Sequence, residues 1–236
     1  MTKHHLKNIA TPKIYSLPKK SKKYVVRPKP GKKFEESVSI VVLLRDFLKL
    51  ATNVREVKIM LNNKEVLINQ TLIKNKSSAV GFFDVISIKS LNKNYLLLPS
   101  KHGFNIRELS PELSQQLFLK ITNIKPQTKN KQQIQFNNGY TLISDKNAKV
   151  GDTAIIEAKT KKIKNIIKLK EGLLILSTKG AHIGKTGRIS KIKGKHLLLD
   201  NSIKTIKQNT IIVPEEYASV ILVNNKSKVN NGGKDE

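Results

Sequence analysis

The chain has 236 residues, with 45 Lys+Arg against 17 Asp+Glu, a formal net charge of +28 and no cysteine. This excludes a disulfide framework and a thiolate metal site. So basic a chain repels itself until a polyanion neutralises it, and its longest apolar run, Ile40–Leu44, is far too short for a membrane span, so nucleic acid rather than a membrane is the expected polyanion.

The first segment, residues 1–36, reads as a basic arm. Residues 1 to 34 carry eleven Lys or Arg, no Asp or Glu, and prolines at Pro12, Pro18, Pro28 and Pro30. Proline forbids helix interiors, and a stretch this charged cannot bury a core. The arm is expected to be disordered alone and to order against RNA, so that its removal would leave the folded domains nearly as stable as before. Its candidate RNA contacts are Lys3, His5, Lys7, Lys13, Lys19, Lys20, Lys22, Lys23, Arg27, Lys29, Lys32 and Lys33, with Tyr15 and Tyr24 available to stack on bases. His4 and His5 are adjacent, which is not metal-ligand spacing on a helix face.

Residues 37–89 read as a small α/β unit. Val38 to Leu50 is apolar enough for a buried helix. Asn53 as N-cap with Glu56 three residues on marks a second helix, in which Val54, Val57, Met60 and Leu61 recur at helical spacing. Glu65–Asn69 and Phe82–Ile88 read as strands. The helix pair would group the candidate contacts Arg45, Arg55, Lys58 and Lys64.

Residues 90–170 read as a β-rich unit. Strands are expected at Tyr95–Pro99, Phe118–Ile124, Gln133–Phe136, Tyr140–Ile143 and Ala154–Glu157, with Asn137-Asn138-Gly139 as a hairpin turn. Ser110-Pro111-Glu112 should start a short helix. The acids Glu108, Glu112, Asp145, Asp152 and Glu157 are separated and sit at caps or turns, so no catalytic constellation and no cofactor or metal site emerges.

Residues 171–223 hold two apolar strands, Leu173–Leu176 and Leu197–Leu199, around a loop with Gly180, Gly184 and Gly187. Lys179, His182, Lys185 and Arg188 are its candidate contacts, and no acid occurs from Gly172 through Leu199. A nucleotide-binding P-loop needs four residues between its first two motif glycines and a helix afterwards. Here Gly180 and Gly184 enclose three residues, and the alternating sequence after Thr186 is strand chemistry. What stays open is an RNA phosphate backbone or a hairpin with solvated lysines. Residues 224–236 read as a flexible polar tail.

With these pieces in order, the chain resembles the family of small ribosomal subunit protein four of archaeal and eukaryotic type over nearly its whole length. The resemblance is carried by His5-Leu6-Lys7 and Pro12-Lys13 in the arm, Arg27-Pro28-Lys29-Pro30-Gly31, Leu44-Arg45-Asp46 and Glu56-Val57-Lys58. It continues in Gly81-Phe82-Phe83-Asp84-Val85-Ile86, Val150-Gly151-Asp152-Thr153 and the loop Gly180 to Gly187. Asn8 stands where the family has an arm arginine, and Tyr15 where it has tryptophan. The resemblance implies an α+β multidomain fold: an extended basic arm, an RNA-binding domain with a helix pair, a central β-rich domain and a C-terminal SH3-like (KOW) barrel. It implies a non-enzymatic constituent of the cytoplasmic small ribosomal subunit, partnered by ribosomal RNA and neighbouring ribosomal proteins. A free RNA-binding or translation-regulating factor is the alternative.

Overall fold

The computed structural model describes residues 5–101, 103–127, 131–145, 147–200 and 203–222. It is a β-rich mixed fold with few helices. Lys3, His4 and the expected tail 224–236 lie outside the described residues.

The arm contributes β1 (Leu6–Lys7) and β2 (Tyr24–Val25), which pair antiparallel. Then come β3 (Ser37–Ser39), α1 (Ile40–Val42), α2 (Val54–Asn62), β4 (Val66–Ile68), β5 (Thr71–Leu72), β6 (Ala79–Gly81), β7 (Val85–Ile88), β8 (Lys93–Ser100) and β9 (Gly103–Leu109). Strands β3 and β6 pair, and the other five form a sheet in the order β5-β4-β7-β8-β9. Strands β7 and β8 pair from Val85 opposite Leu96 to Ile88 opposite Lys93, so one sheet holds strands from both sides of residue 90.

A second sheet follows, from β10 (Gln116–Pro126), β11 (Gln132–Phe136), β12 (Thr141–Ser144), β13 (Thr153–Glu157) and β14 (Ile163–Ile167), in the order β12-β11-β10-β13-β14. The third contains β15 (Leu174–Ser177), β16 (Thr186–Lys193), β17 (His196–Leu199), β18 (Lys204–Ile206) and β19 (Thr210–Ile212), in the order β18-β17-β16-β15-β19. Helix α3 (Glu215–Leu222) ends the described chain.

Three hydrophobic clusters hold these layers. The arm and the α1–α2 segment share one, which includes Leu6, Tyr15, Val25, Val57 and Leu97. The central cluster joins Phe83 and Phe118 to Tyr217 of α3, with ring centroids 5.3 and 4.7 Å apart along that row. The Tyr217 hydroxyl lies 2.8 Å from the carbonyls of both Leu113 and Gln116, so the last helix is tied to the middle of the chain. Ile175, Ile189, Leu197, Leu199 and Ile212 form the smallest core.

Local structure departs from the sequence reading in four places. The first helix does not begin at Val38. Ser37–Ser39 pair with β6, the chain turns helical at Ile40, and a wider π-type turn covers Leu43–Phe47. Lys49, at φ 53, ends it. Asn53 is the N-cap of α2 as expected, but Glu56 accepts chiefly from the amide and hydroxyl of Thr52, at 2.7 and 2.8 Å, which lowers its pKa. The expected strand Phe82–Ile88 is broken by a turn at Phe82-Phe83, with Phe83 at φ 65. The predicted helix after Ser110 is one 3-10 turn, Leu113–Gln115.

Candidate nucleic-acid interface

The arm is part of the fold, contrary to the expectation of a disordered leader. Leu6 and Val25 face inward, and Tyr15 is 1% exposed within the arm's cluster. Burial raises the Tyr15 hydroxyl's pKa, and its ring is not available to a base. Asn8 is buried and donates to the carbonyls of Pro18 and Lys19, at 2.8 and 3.0 Å. Lys19 in turn donates to the carbonyls of Asn8 and Thr11 and to the Thr11 hydroxyl, at 3.3, 2.9 and 2.8 Å. The prolines that forbid helix do not forbid this irregular, locally hydrogen-bonded path.

The far end of the arm is clamped on two sides. Lys32 pairs with Asp84, whose side chain is fully buried. Asp84 also accepts from the Gly81 amide at 2.7 Å and from Asn69 Nδ2 at 2.9 Å, so its carboxylate is met by one cation and two neutral donors. These bonds close the turn that interrupts the expected strand. On the other side Glu36 accepts from Lys179 at 2.5 Å, which raises the Lys179 pKa. A cleft of about 480 Å³ lies between these clamps, lined by Lys32, Lys33, Glu36, Lys120, Asn137 and Lys179 among others.

The glycine loop is largely a docking element. At Gly184 (φ +78) a Cβ would lie 2.9 Å from the Pro99 carbonyl oxygen and 3.1 Å from Ser100 Cα. The third sheet's loop therefore meets the end of β8 backbone to backbone, which only glycine permits. His182 is half-buried, and its Nδ1 has no hydrogen-bond partner among the described residues. Lys185 and Arg188 are exposed.

The candidate contacts thus divide. Lys19, Lys32 and Lys179 are engaged by partners within the chain, Lys19 and Lys179 while remaining exposed, and Arg45 is held by the neighbouring Asp46 at 2.6 and 2.9 Å. His5, Lys7, Lys13, Lys20, Lys22, Lys23, Arg27, Lys29 and Lys33 are exposed on the arm. Arg27 lies over the Phe34 ring at 5.7 Å, and Lys33 comes within 4.0 Å of Glu36. Arg55, Lys58 and Lys64 are exposed on and just after α2.

Sequence reasoning missed Lys120. It is 7% exposed, and its ammonium donates to the carbonyls of Lys207, Gln208 and Thr210, at 2.5, 2.9 and 2.7 Å. Burial, with help from the charge of Lys179, pulls its pKa down to about 8. The one available signal was a lysine inside the run Phe118–Ile121, on a strand otherwise apolar at that point.

Comparison with known proteins decides the family. The small ribosomal subunit protein eS4 of Methanosphaera stadtmanae is 34% identical over 222 residues, spanning 93% of this chain and 89% of that one. The chain belongs to the ribosomal S4e family. The S4e protein eS4 of Archaeoglobus fulgidus is 33% identical, over 94% of both chains. Sequence profiles agree: the RS4NT (NUC023) domain matches residues 2–31, and Ribosomal family S4e matches residues 91–163. The crystal structure of the 30S ribosomal protein S4e from Thermoplasma acidophilum superposes with a TM-score of 0.67 at 30% identity, covering 75% of this chain and 95% of that one. S4e proteins form a structural ribosomal family rather than an enzyme family. Among the described residues of this member, no three His, Asp or Glu side chains are grouped to hold a metal ion, and no helix is long and apolar enough to cross a membrane.

Proposed function

We propose that this chain is a structural constituent of the small ribosomal subunit that binds and stabilises small-subunit ribosomal RNA. The observation that carries the reading is how the charge is placed. Lys120 is buried, Lys32 and Arg45 are partly buried in ion pairs, and the exposed Lys19 and Lys179 are held by bonds within the chain, yet a net charge of +28 still leaves a broad set of other exposed cations. Exposed lysines and arginines on a folded support suit a phosphate backbone, whose condensed counterions they displace. The arm, α2 with the residues after it, and the outer edge of the glycine loop are the contact regions, with phosphates positioning the protein and bases adding little.

The finer layout follows the same reading. The α1–α2 segment with its sheet serves as the RNA-binding domain, and the third sheet serves as an SH3-like KOW module that meets RNA or neighbouring ribosomal proteins. The protein then resides on cytoplasmic ribosomes. Sedimentation tests this: the chain stays with the small subunit through moderate salt washes. Release at the first wash would instead fit a free RNA-binding factor.

A further inference from the structure

We propose that the solvent face of the β1–β2 ribbon is a stacking platform for an unpaired nucleobase, with Tyr24 as the ring that receives it; this deepens the ribosomal RNA reading above and rests on it. The ribbon sorts its residues by face. The cross-strand pair Leu6 and Val25 is buried, whereas the next pair, Lys7 and Tyr24, is exposed. Of the five tyrosines, Tyr15, Tyr95 and Tyr217 are buried, Tyr140 is half-buried, and Tyr24 is 47% exposed. Tyr24 belongs to none of the three hydrophobic clusters, so the cores do not account for an aromatic residue there.

Its surroundings are those of a nucleic-acid contact. The His5 ring meets it edge-on, with centroids 5.5 Å apart and planes at 85°. Lys23 Nζ lies 5.5 Å from the ring centroid. Lys7 is directly across the ribbon, Lys20 and Lys22 are exposed on the adjoining loop, and the chain has no acid before Glu35. Cations draw the phosphates of a single strand, and an aromatic face takes its base without regard to sequence.

The platform is also built in advance. The loop that delivers Tyr24 is fixed by the Asn8 side-chain bonds to Pro18 and Lys19, by the Lys19 ammonium, and by the Asn8 amide donating to the Lys23 carbonyl at 3.0 Å. Lys19 is therefore spent on shaping the loop, which lowers the ordering cost of binding. An acidic peptide is the rival occupant, since it would satisfy the lysines but not the ring.

The chain has no tryptophan, so Tyr24→Trp places a single indole on the platform. The full-length variant is titrated with small-subunit ribosomal RNA and, separately, with polyglutamate, following indole emission alongside filter retention of the RNA. Stacking predicts saturable quenching by the RNA and none by polyglutamate. RNA retained without quenching, or equal quenching by polyglutamate, would overturn the platform and leave RNA binding intact. No retention of RNA would overturn both. In the same assay with single-stranded oligoadenylate, Tyr24→Ala should weaken binding about tenfold and Tyr24→Phe less than about twofold; equal effects would also overturn the platform.

Discussion

Lys32 and Asp84 are joined as an ion pair across 52 residues of chain, with the lysine supplied by the arm and the aspartate side chain fully buried in the turn between β6 and β7. This contact turns a basic leader into a structural element. Removing the cation strands a carboxylate that keeps only neutral donors. Lys32→Met should therefore cost about 3 kcal/mol in urea unfolding, and the double change Lys32→Met, Asp84→Asn should cost less than Lys32→Met alone.

The arm's two best-placed tyrosines should behave oppositely. Tyr15→Ala empties a buried site in the arm's cluster and should cost about 3 kcal/mol or more. Tyr24→Ala removes an exposed ring and should change stability by about 0.5 kcal/mol or less. Deleting residues 1–34 should lower the thermal midpoint of the remainder clearly, as both values from thermal unfolding would show.

Gly184 and Gly172 both have positive φ, but only Gly184 has a neighbour in the way. Alanine at either position costs about 1 kcal/mol for the backbone conformation alone. Gly184→Ala should cost more than Gly172→Ala in the same thermal assay, because its Cβ meets the Pro99 carbonyl oxygen at 2.9 Å. Equal losses would mean that the loop does not dock there.

Lys120 gives the fold a pH signature. Burial holds its pKa near 8, against the ordinary 10.5. Between these values the unfolded chain binds more protons than the folded one, so stability rises with pH. The cost of its buried charge is full below about pH 8 and fades as pH approaches 10.5. The stability of wild type relative to Lys120→Met should climb over that window, with the neutral amine still able to donate to the surrounding carbonyls.

Much of the strand pattern was legible in the sequence. The runs at Phe118–Ile124, Gln133–Phe136 and Leu197–Leu199 alternate or stay apolar, and they are strands. Helix α2 was marked by its periodicity and by Asn53 at its N-cap, although its acid bonds chiefly to Thr52. The arm misled because its composition predicts an unfolded chain, whereas order comes from Tyr15, Asn8 and Lys19 finding partners distant in sequence or in unusual local turns. The glycine loop misled for a similar reason: the spacing of Gly184 shows that something comes close, but not whether that is a phosphate or the backbone at Pro99. Lys120 left only one signal, a charge within an apolar run, and that reads as a surface residue until its three carbonyls are seen.

The most direct test is filter binding of the full-length chain to small-subunit ribosomal RNA across a salt series. If exposed cations displace counterions, affinity should fall about a thousandfold or more between about 50 and about 200 mM salt. Affinity that stays level over that range would contradict the account.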